Sequence, residues 1–165
     1  MLRCTKLAGE HAALAYGDGA LVVRTAGLYG LSGSASKGGN FVQRMIARAE
    51  AQDSLKMVAD QRLQPTYTAD LARALIKAVD ADATGILHLA ASGACSWFEF
   101  TEAIMDLGGL DVAIEPVQTA IAPGSPDRPL NGVLARPRAD ALGLGELRGW
   151  REALADYMDC AKLLA

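Results

Sequence analysis

The chain has 165 residues, of which 51% are hydrophobic and 21% charged, and its formal net charge is −3. This length suits a single domain with a sizeable core, and the composition excludes a disordered polypeptide. The acidic balance and the lack of a basic stripe argue against binding to nucleic acid.

The sequence gives no sign of a membrane or export segment. Its apolar runs, such as 20–23 and 86–91, are too short to span a bilayer, and no basic region followed by an apolar run and a cleavage site opens the chain. Cys4, Cys95 and Cys160 form no CxxC pair, which argues against a zinc site or a disulfide framework. We therefore expect no metal, and buried free thiols in a reducing cytoplasm.

Helix and strand patterns alternate along the first part of the chain. Apolar residues at helical spacing predict a helix over 4–16, and the β-branched run 20–25 predicts a buried strand. A loop of small residues over 32–39 precedes an amphipathic helix that begins at Phe41. A short strand is expected at 55–59.

The alternation continues in the second part. Ser96 and Glu99 have the spacing of a capping box, which predicts a helix over 97–107. The other expected elements are a helix after 64–66 with Leu71, Leu75, Ala78 and Val79 on one side, strands at 85–90 and 112–117, a proline-rich loop at 122–129, and a closing helix carrying Trp150, Leu154, Tyr157, Met158 and Ala161.

This alternation indicates an α/β fold with a parallel sheet. The segments 20–25 and 85–90 are apolar enough to lie in such a sheet. Two strands do not make a stable doubly wound sheet, so we expect the sheet here to be incomplete.

Seven blocks of sequence, in matching order and spacing, resemble the dTDP-4-dehydrorhamnose reductase family of extended short-chain dehydrogenases/reductases. Any single block is weak evidence, but together they cover nearly the whole chain. The blocks are TKLAGE (5–10), VVRTAGLYG (22–30), KGGNFV (37–42), DQRLQPTYTADLA (60–72), GILHLAASGACSWFEF (85–100), RPLNGVL (128–134) and WREAL (150–154).

The resemblance implies a protein of two parts. A Rossmann half binds NADPH or NADH through a glycine-rich turn, and a second half holds the dTDP-sugar. These 165 residues contain no GxGxxG motif and resemble the second half, so the N-terminal dinucleotide-binding half is expected to be missing. Within one truncated unit, 1–30 and 60–95 would be the edge of the Rossmann-type sheet, and 31–59 and 96–165 a small α/β sugar-nucleotide-binding domain.

The resemblance also implies a catalytic role for Lys6. Family members carry a tyrosine four residues earlier, on the same helical face, which delivers a proton when the cofactor transfers hydride to the C4 carbonyl. The lysine stabilises the phenolate and holds the cofactor ribose. Position 2 is Leu2, which has no proton to give. We therefore expect that the chain alone neither binds NAD(P)H nor reduces a sugar; the alternative for Lys6 is a surface pair with Glu10.

The resemblance places further residues near the ligands. Thr25, Ala26 and Gly27 follow a strand and would contact the cofactor, although some relatives have an aromatic residue at the position of Gly27. Asn40, with Lys37 nearby, would contact the nucleotide-sugar; Asn40 is also a good N-cap for the helix from Phe41.

Gln61 and Arg128 would complete the substrate site, with the arginine near the diphosphate. Arg128 could equally be a surface residue. Trp97 and Phe98 are expected in the core rather than in a base-stacking platform. His88 is expected to be a core histidine rather than a catalytic base.

Three classes of function stay open on the sequence. The chain could be one part of a reductase completed by another polypeptide or a longer parent, or a module that binds a nucleotide-sugar without turning it over. It could also be a regulatory or structural domain that self-associates, for example as a homodimer, through an unpaired strand edge.

Overall fold

The computed structural model describes residues 2–33, 38–120 and 129–164. The longer helices are α1 (Leu2–Tyr16), α2 (Phe41–Ala51), α3 (Thr68–Asp80), α4 (Trp97–Leu107) and α6 (Trp150–Cys160), and α5 is a short helix (Pro137–Ala141). The strands are β1 (Leu21–Arg24), β2 (Leu28–Tyr29), β3 (Ser54–Val58), β4 (Arg62–Leu63), β5 (Thr66–Tyr67), β6 (Gly85–His88), β7 (Ala91–Ser92), β8 (Cys95–Ser96), β9 (Ala113–Val117) and β10 (Leu147–Gly149).

The strands pair in twos, and most pairs are parallel. β1 pairs with β6 from Leu21 opposite Gly85 to Arg24 opposite His88, and β3 pairs with β9 over five residues. The short pairs β2–β5 and β10–β7 are parallel as well, whereas β4–β8 is antiparallel. The prediction of an α/β fold with parallel sheet pieces is confirmed.

Two hydrophobic clusters hold these elements together. The larger cluster lies between α2, α4, α6, β3 and the short strands, and contains Phe100, Leu154 and Tyr157. The smaller cluster lies between α3 and the β1–β6 pair, and contains Leu71 and Leu87. Both consist mainly of apolar side chains removed from water, which is the main force that stabilises such a fold.

Helix α1 differs from the other long helices because it has little packing. It lies against β1, but every side chain described in it is exposed apart from the partly buried Glu10. Leu7 and Leu14 are 50% and 37% exposed. The apolar face of α1 is therefore largely uncovered within the described residues.

Most predicted elements are found within one or two residues of their expected ends, and the errors concern burial. Val79 was expected on the buried side of α3, but it is exposed, and Ala74 is buried there instead. β1 is half-buried along its length rather than fully buried. The predicted burial of free thiols is right for Cys95 and wrong for Cys4 and Cys160, which are exposed.

The predicted capping box at the start of α4 is confirmed. The Glu99 amide donates to Ser96 Oγ at 3.1 Å, and the Ser96 amide donates to Glu99 Oε2 at 2.6 Å. That second bond is the main reason why the pKa of Glu99 is lowered from 4.5. Because the folded state favours the ionised form of Glu99, this side chain stabilises the fold most at pH values where it is ionised.

Substitution of Glu99 by glutamine should therefore have a pH-dependent effect. Because the folded-state pKa is lowered, the charged side chain contributes stability above about pH 4.5 that disappears as the pH falls through the folded-state pKa. Glutamine can also accept the bond from Ser96 but does not titrate. Denaturant unfolding between pH 7 and pH 3 should show the advantage of the parent over E99Q shrinking towards low pH, and a constant difference would contradict this.

Among the described residues, no helix has both the length and the apolar character needed to cross a bilayer.

Candidate functional site

A cleft of about 660 Å³ opens between the loop after β1 and helices α2, α3 and α4. Its wall combines glycine backbone, aromatic rings and a few polar side chains. The lining residues that matter below are Gly27, Asn40, Phe41, Arg44, Thr68 and Trp97. Concave sites of this size, mostly apolar with a few polar groups, are typical of small-ligand sites.

A cluster of aromatic rings forms the floor of the cleft. Tyr29 lies 5.8 Å from Tyr67 in a stacked arrangement and 5.2 Å from Tyr157 edge-on, measured between ring centroids. Phe100 lies 5.7 Å from Tyr29. Burial raises the pKa of Tyr29 and of Tyr67, so both phenols stay neutral at physiological pH. The floor is therefore uncharged and densely packed.

Asn40 fixes the loop beside the cleft, and its predicted role as an N-cap is confirmed. Its Oδ1 accepts from the Gln43 amide at 3.1 Å, while Gln43 Oε1 accepts from the Asn40 amide at 3.0 Å. Its Nδ2 donates to the Gly30 carbonyl at 2.8 Å and to Tyr157 Oη at 2.6 Å. Both hydrogens of the side-chain amide thus already have partners, so Asn40 contributes to the site chiefly by positioning its wall.

Gly27 lets the chain turn sharply at the cleft. Its φ is +57°, and a Cβ there would lie 3.1 Å from both the Gln64 carbonyl oxygen and Pro65 Cα. Gly27 also accepts a backbone hydrogen bond from the Thr66 amide. A side chain at this position would be strained by the backbone conformation and crowded by backbone neighbours.

Substitution of Gly27 by alanine should lower the free energy of unfolding by more than the strain of a positive φ alone would. Gly143 provides the control, since its φ is +64° and a Cβ there has no neighbour within 4 Å. We expect G143A to lower the free energy of unfolding by about 1 kcal/mol, and G27A to lower it by roughly 1 kcal/mol more because of crowding. Equal losses in urea unfolding would show that the neighbours of Gly27 adjust freely.

Arg44 is the one charged residue in the described lining of the cleft. It lies three residues after Phe41 on α2, so the two side chains are neighbours on the helix surface. The sequence interpretation missed Arg44, although its helical spacing from Phe41 and Asn40 was a usable signal. A guanidinium suits bidentate contact with phosphate or carboxylate oxygens.

Trp97 and Phe41 form the aromatic side of the cleft. Their ring centroids are 4.6 Å apart, and both rings are only partly buried against the larger cluster. Phe98 packs on that cluster too, as expected. Trp97 therefore combines core packing with a surface that faces the cleft.

The remaining predicted site residues lie outside the described lining of the cleft. Lys6 is exposed on α1, which begins at Leu2. Thr25 and Ala26 are partly buried just after β1, and the Thr25 hydroxyl has no hydrogen-bond partner within the described residues. Gln61 donates to Thr119 Oγ1 at 2.9 Å. Of the predicted residues, the structure brings Gly27 and Asn40 together in one cleft.

Arg128 and Lys37 lie outside the described residues, so their predicted roles near the diphosphate stay predictions.

Near the carboxyl end of β1, an ion pair of Arg24 and a hydrogen bond of His88 decide two of the expectations from the sequence. Arg24 donates to both carboxylate oxygens of Glu10 at 2.9 and 2.6 Å, so Glu10 pairs with Arg24 rather than with Lys6. This contact lowers the pKa of Glu10. His88 is partly buried, and its Nδ1 lies 2.8 Å from the Ala135 carbonyl oxygen. The histidine thus has a backbone partner, as a structural residue would.

Within the described residues, no group of three or more histidine, cysteine, aspartate or glutamate side chains is arranged to hold a metal ion.

Comparison with known proteins identifies relatives of this chain. Residues 3–163 match the family model described as the RmlD substrate binding domain. The dTDP-4-dehydrorhamnose reductase of Mycolicibacterium smegmatis is 41% identical over 154 residues, which are 92% of this chain and 46% of that protein. The chain spans about half the length of the curated relatives it matches.

Solved structures agree with the sequence relatives. The crystal structure of a dTDP-4-dehydrorhamnose reductase from Clostridium acetobutylicum has a TM-score of 0.87 and 37% identity, covering 96% of this chain and 54% of that chain. The Bacillus anthracis enzyme, solved in complex with NADP, has a TM-score of 0.85 and 30% identity, covering 94% and 53%. The cleft thus lies in a fold shared with reductases of about twice the length.

Proposed function

Since the chain belongs to the family of RmlD substrate-binding domains, we propose that it is the nucleotide-sugar-binding part of a dTDP-4-dehydrorhamnose reductase. The cleft beside Asn40 is the observation that carries this proposal, because it offers aromatic rings for a base or sugar and Arg44 for a diphosphate. The ligand would be a dTDP-sugar. The complete enzyme would reduce dTDP-4-dehydro-L-rhamnose to dTDP-L-rhamnose.

The cofactor of that reaction would be NADPH or NADH, which supplies the hydride. Within these residues, Lys6, Thr25, Ala26 and Gly27 are the proposed contacts to its nicotinamide end, and the buried Thr25 hydroxyl without a partner fits such a contact. The sequence has no glycine-rich turn to bind the dinucleotide phosphates. The residues of this chain therefore fit the nicotinamide end of the cofactor and not its phosphates.

We further propose that these 165 residues by themselves have no reductase activity. Reduction of the C4 carbonyl requires a proton as well as hydride, and the aliphatic side-chain type at Leu2 has no proton to donate. Lys6 would position a cofactor ribose but lacks the phenol that it would normally assist. The polypeptide would bind the nucleotide-sugar without turning it over.

We assign the ligand side to 31–59 and 96–165, and the dinucleotide side to 1–30 and 60–95. Helices α2 and α4, which line the cleft, belong to the first group. The paired strands β1 and β6 belong to the second. This division places the cleft at the border between the two groups.

The surface formed by α1 and β1 is the proposed contact with the rest of a reductase fold. Within the described residues, β1 pairs with β6 alone, so its other edge has unpaired backbone groups. Helix α1, which contacts β1, exposes Leu7 and Leu14. The covering partner would be a Rossmann half, in the same longer polypeptide or in a second one; a second copy of this chain is the alternative.

Two measurements test the proposal. Calorimetric titration of the 165-residue chain with dTDP-L-rhamnose should show binding, and no heat at millimolar ligand would contradict it. NADPH oxidation with the keto-sugar should be absent for the chain alone. It should appear when the part of the Mycolicibacterium smegmatis relative that the chain does not cover is added to the L2Y variant, which places a phenol four residues before Lys6. Oxidation by the chain alone would overturn the inactive state.

The oligomeric state separates the two partners proposed for the α1–β1 surface. Size-exclusion chromatography with light scattering should show a concentration-dependent dimer if a second copy covers this surface. Substitution of Leu7 by glutamate should then return the chain to a monomer, because it places a charge on the apolar face. A monomer at every concentration would leave the Rossmann half as the partner.

A further inference from the structure

We propose that Arg138 closes the outer edge of β6, the edge that faces away from β1, and prevents a second copy of the chain from pairing with it. Within the described residues, β6 pairs with β1 alone, so this outer edge would otherwise offer backbone groups to another strand. The role goes beyond the proposed function, because the surface proposed there lies on the other side of the strand pair.

The outer edge of β6 carries the backbone groups of every second residue. The Gly85 amide donates to the Ala20 carbonyl, just before β1, at 2.8 Å, so the backbone groups of Gly85 face β1. Successive residues of a strand direct these groups to alternate sides in the plane of the sheet. The carbonyls of Thr84 and Ile86 and the amides of Ile86 and His88 therefore face the outer edge.

Arg138 occupies two of these outward-facing carbonyls with one guanidinium. Its Nη2 donates to the Thr84 carbonyl and its Nη1 donates to the Ile86 carbonyl, each at 2.8 Å. A strand that paired with this edge would need the same two acceptors for its own amides. Arg138 is exposed, so its positive charge also lies at the edge, where charged side chains discourage the pairing of strands.

Gly85 gives the guanidinium the room to lie against the edge. Its φ is +71°, and a Cβ at Gly85 would lie 2.9 Å from Arg138 Nη1. A side chain at this position would push the guanidinium away from the two carbonyls. Glycine at position 85 therefore serves the contact with Arg138 as well as the backbone conformation.

The short helix α5 holds the backbone of Arg138 beside β6. Ala139 is fully buried in the smaller hydrophobic cluster, which also contains Leu87 of β6. Arg136 donates to Asp140 Oδ1 at 2.7 Å across the same turn. Because the backbone on both sides of Arg138 is fixed in this way, its side chain has less conformational freedom to lose when it reaches the edge.

Self-association tests this role, and the L7E background removes the α1–β1 surface from the measurement. The parent chain has a mass of 17.3 kDa. In light scattering, L7E/R138M should shift from this mass towards twice its value as the concentration rises, because methionine has neither donors nor charge. L7E/R62M is the matched control and should stay a monomer, since Arg62 is exposed and donates to a single carbonyl, that of Ala94 in a loop.

Hydrogen exchange tests whether the association uses the outer edge of β6. The amides of Ile86 and His88 should exchange more slowly in associated L7E/R138M than in the L7E monomer, because a pairing strand would bind them. If Arg138 only fastened α5 to β6, R138M would lower the melting temperature but leave a monomer. A monomer at every concentration, or association without slower exchange at Ile86 and His88, would overturn the proposal.

A second variant reaches the same contact without changing Arg138. L7E/G85A should displace the guanidinium and cause the same association. L7E/G19A is its control, because Gly19 has a similar φ of +68° but a Cβ there would have only the Thr84 methyl group nearby, at 3.9 Å. Circular dichroism should show that both variants are folded, and equal masses for the two at every concentration would contradict the role of Arg138.

Discussion

Replacement of Tyr157 by alanine is expected to lower the free energy of unfolding by about 3–5 kcal/mol, the cost of removing a large side chain from a packed core. Tyr157 is fully buried. Its ring meets Tyr29 and Tyr67 edge-on, and its hydroxyl accepts the hydrogen bond from Asn40. The cavity left by alanine would lie directly beneath the cleft.

Tyr16 provides the control for this substitution, because the same residue type is 91% exposed there. Y16A should change stability by no more than about 0.5 kcal/mol. Y157F separates packing from hydrogen bonding: it leaves one Asn40 hydrogen without its acceptor, at a cost of about 1–3 kcal/mol. Chemical denaturation measures all three, and similar losses for Y157A and Y16A would contradict the account of the core.

Replacement of Asp70 by asparagine is the second large expected effect. Asp70 is nearly buried at the start of α3 and accepts from Arg148 Nε at 3.1 Å, from Arg148 Nη2 at 2.9 Å and from Arg73 Nη1 at 2.7 Å. Arg148 also donates to Asp156 on α6 at 2.6 Å. These carboxylates raise the pKa of Arg148, so its charge persists. The network ties α3 and β10 to α6.

Removal of the Asp70 charge would leave Arg148 with one of its two carboxylate partners. We expect D70N to lower the free energy of unfolding by about 1.5–3 kcal/mol, as for a hydrogen bond to a charged group. The exposed pair of Lys56 with Glu115, 3.5 Å apart, is the control, and E115Q should cost less than about 1 kcal/mol. Equal losses of stability for D70N and E115Q in thermal unfolding would mean that the burial of Asp70 does not strengthen its ion pair.

Local sequence patterns predicted the regular elements because their causes are local. Ser96 and Glu99 form their capping box within four residues, and the start of α4 follows from it. Asn40 likewise caps α2 through neighbours along the chain. The apolar runs 20–25 and 85–90 predicted that both segments lie in a parallel sheet, where such strands are found. Their pairing with each other is a finding of the structure.

The cleft could be predicted only in part, because its shape depends on contacts distant in sequence. Asn40 reaches Tyr157, which lies 117 positions further along the chain. Arg44 was missed because its helical spacing shows that it shares a face of α2 with Phe41, but does not show that this face lines a cavity. Val79 was misplaced because α3 has more apolar residues than its buried face can hold, and periodicity alone cannot choose among them.

The sparse packing of α1 has a consequence for motion. A helix of 15 residues is only marginally stable without neighbours, and this one is held mainly by β1 and by the bond from Arg24 to Glu10. Its amide protons should therefore exchange with deuterated solvent faster, through local unfolding of the helix. The amide protons of α4 and α6 should exchange only on global unfolding of the domain. On warming, α1 would detach first, and Lys6 would move with it.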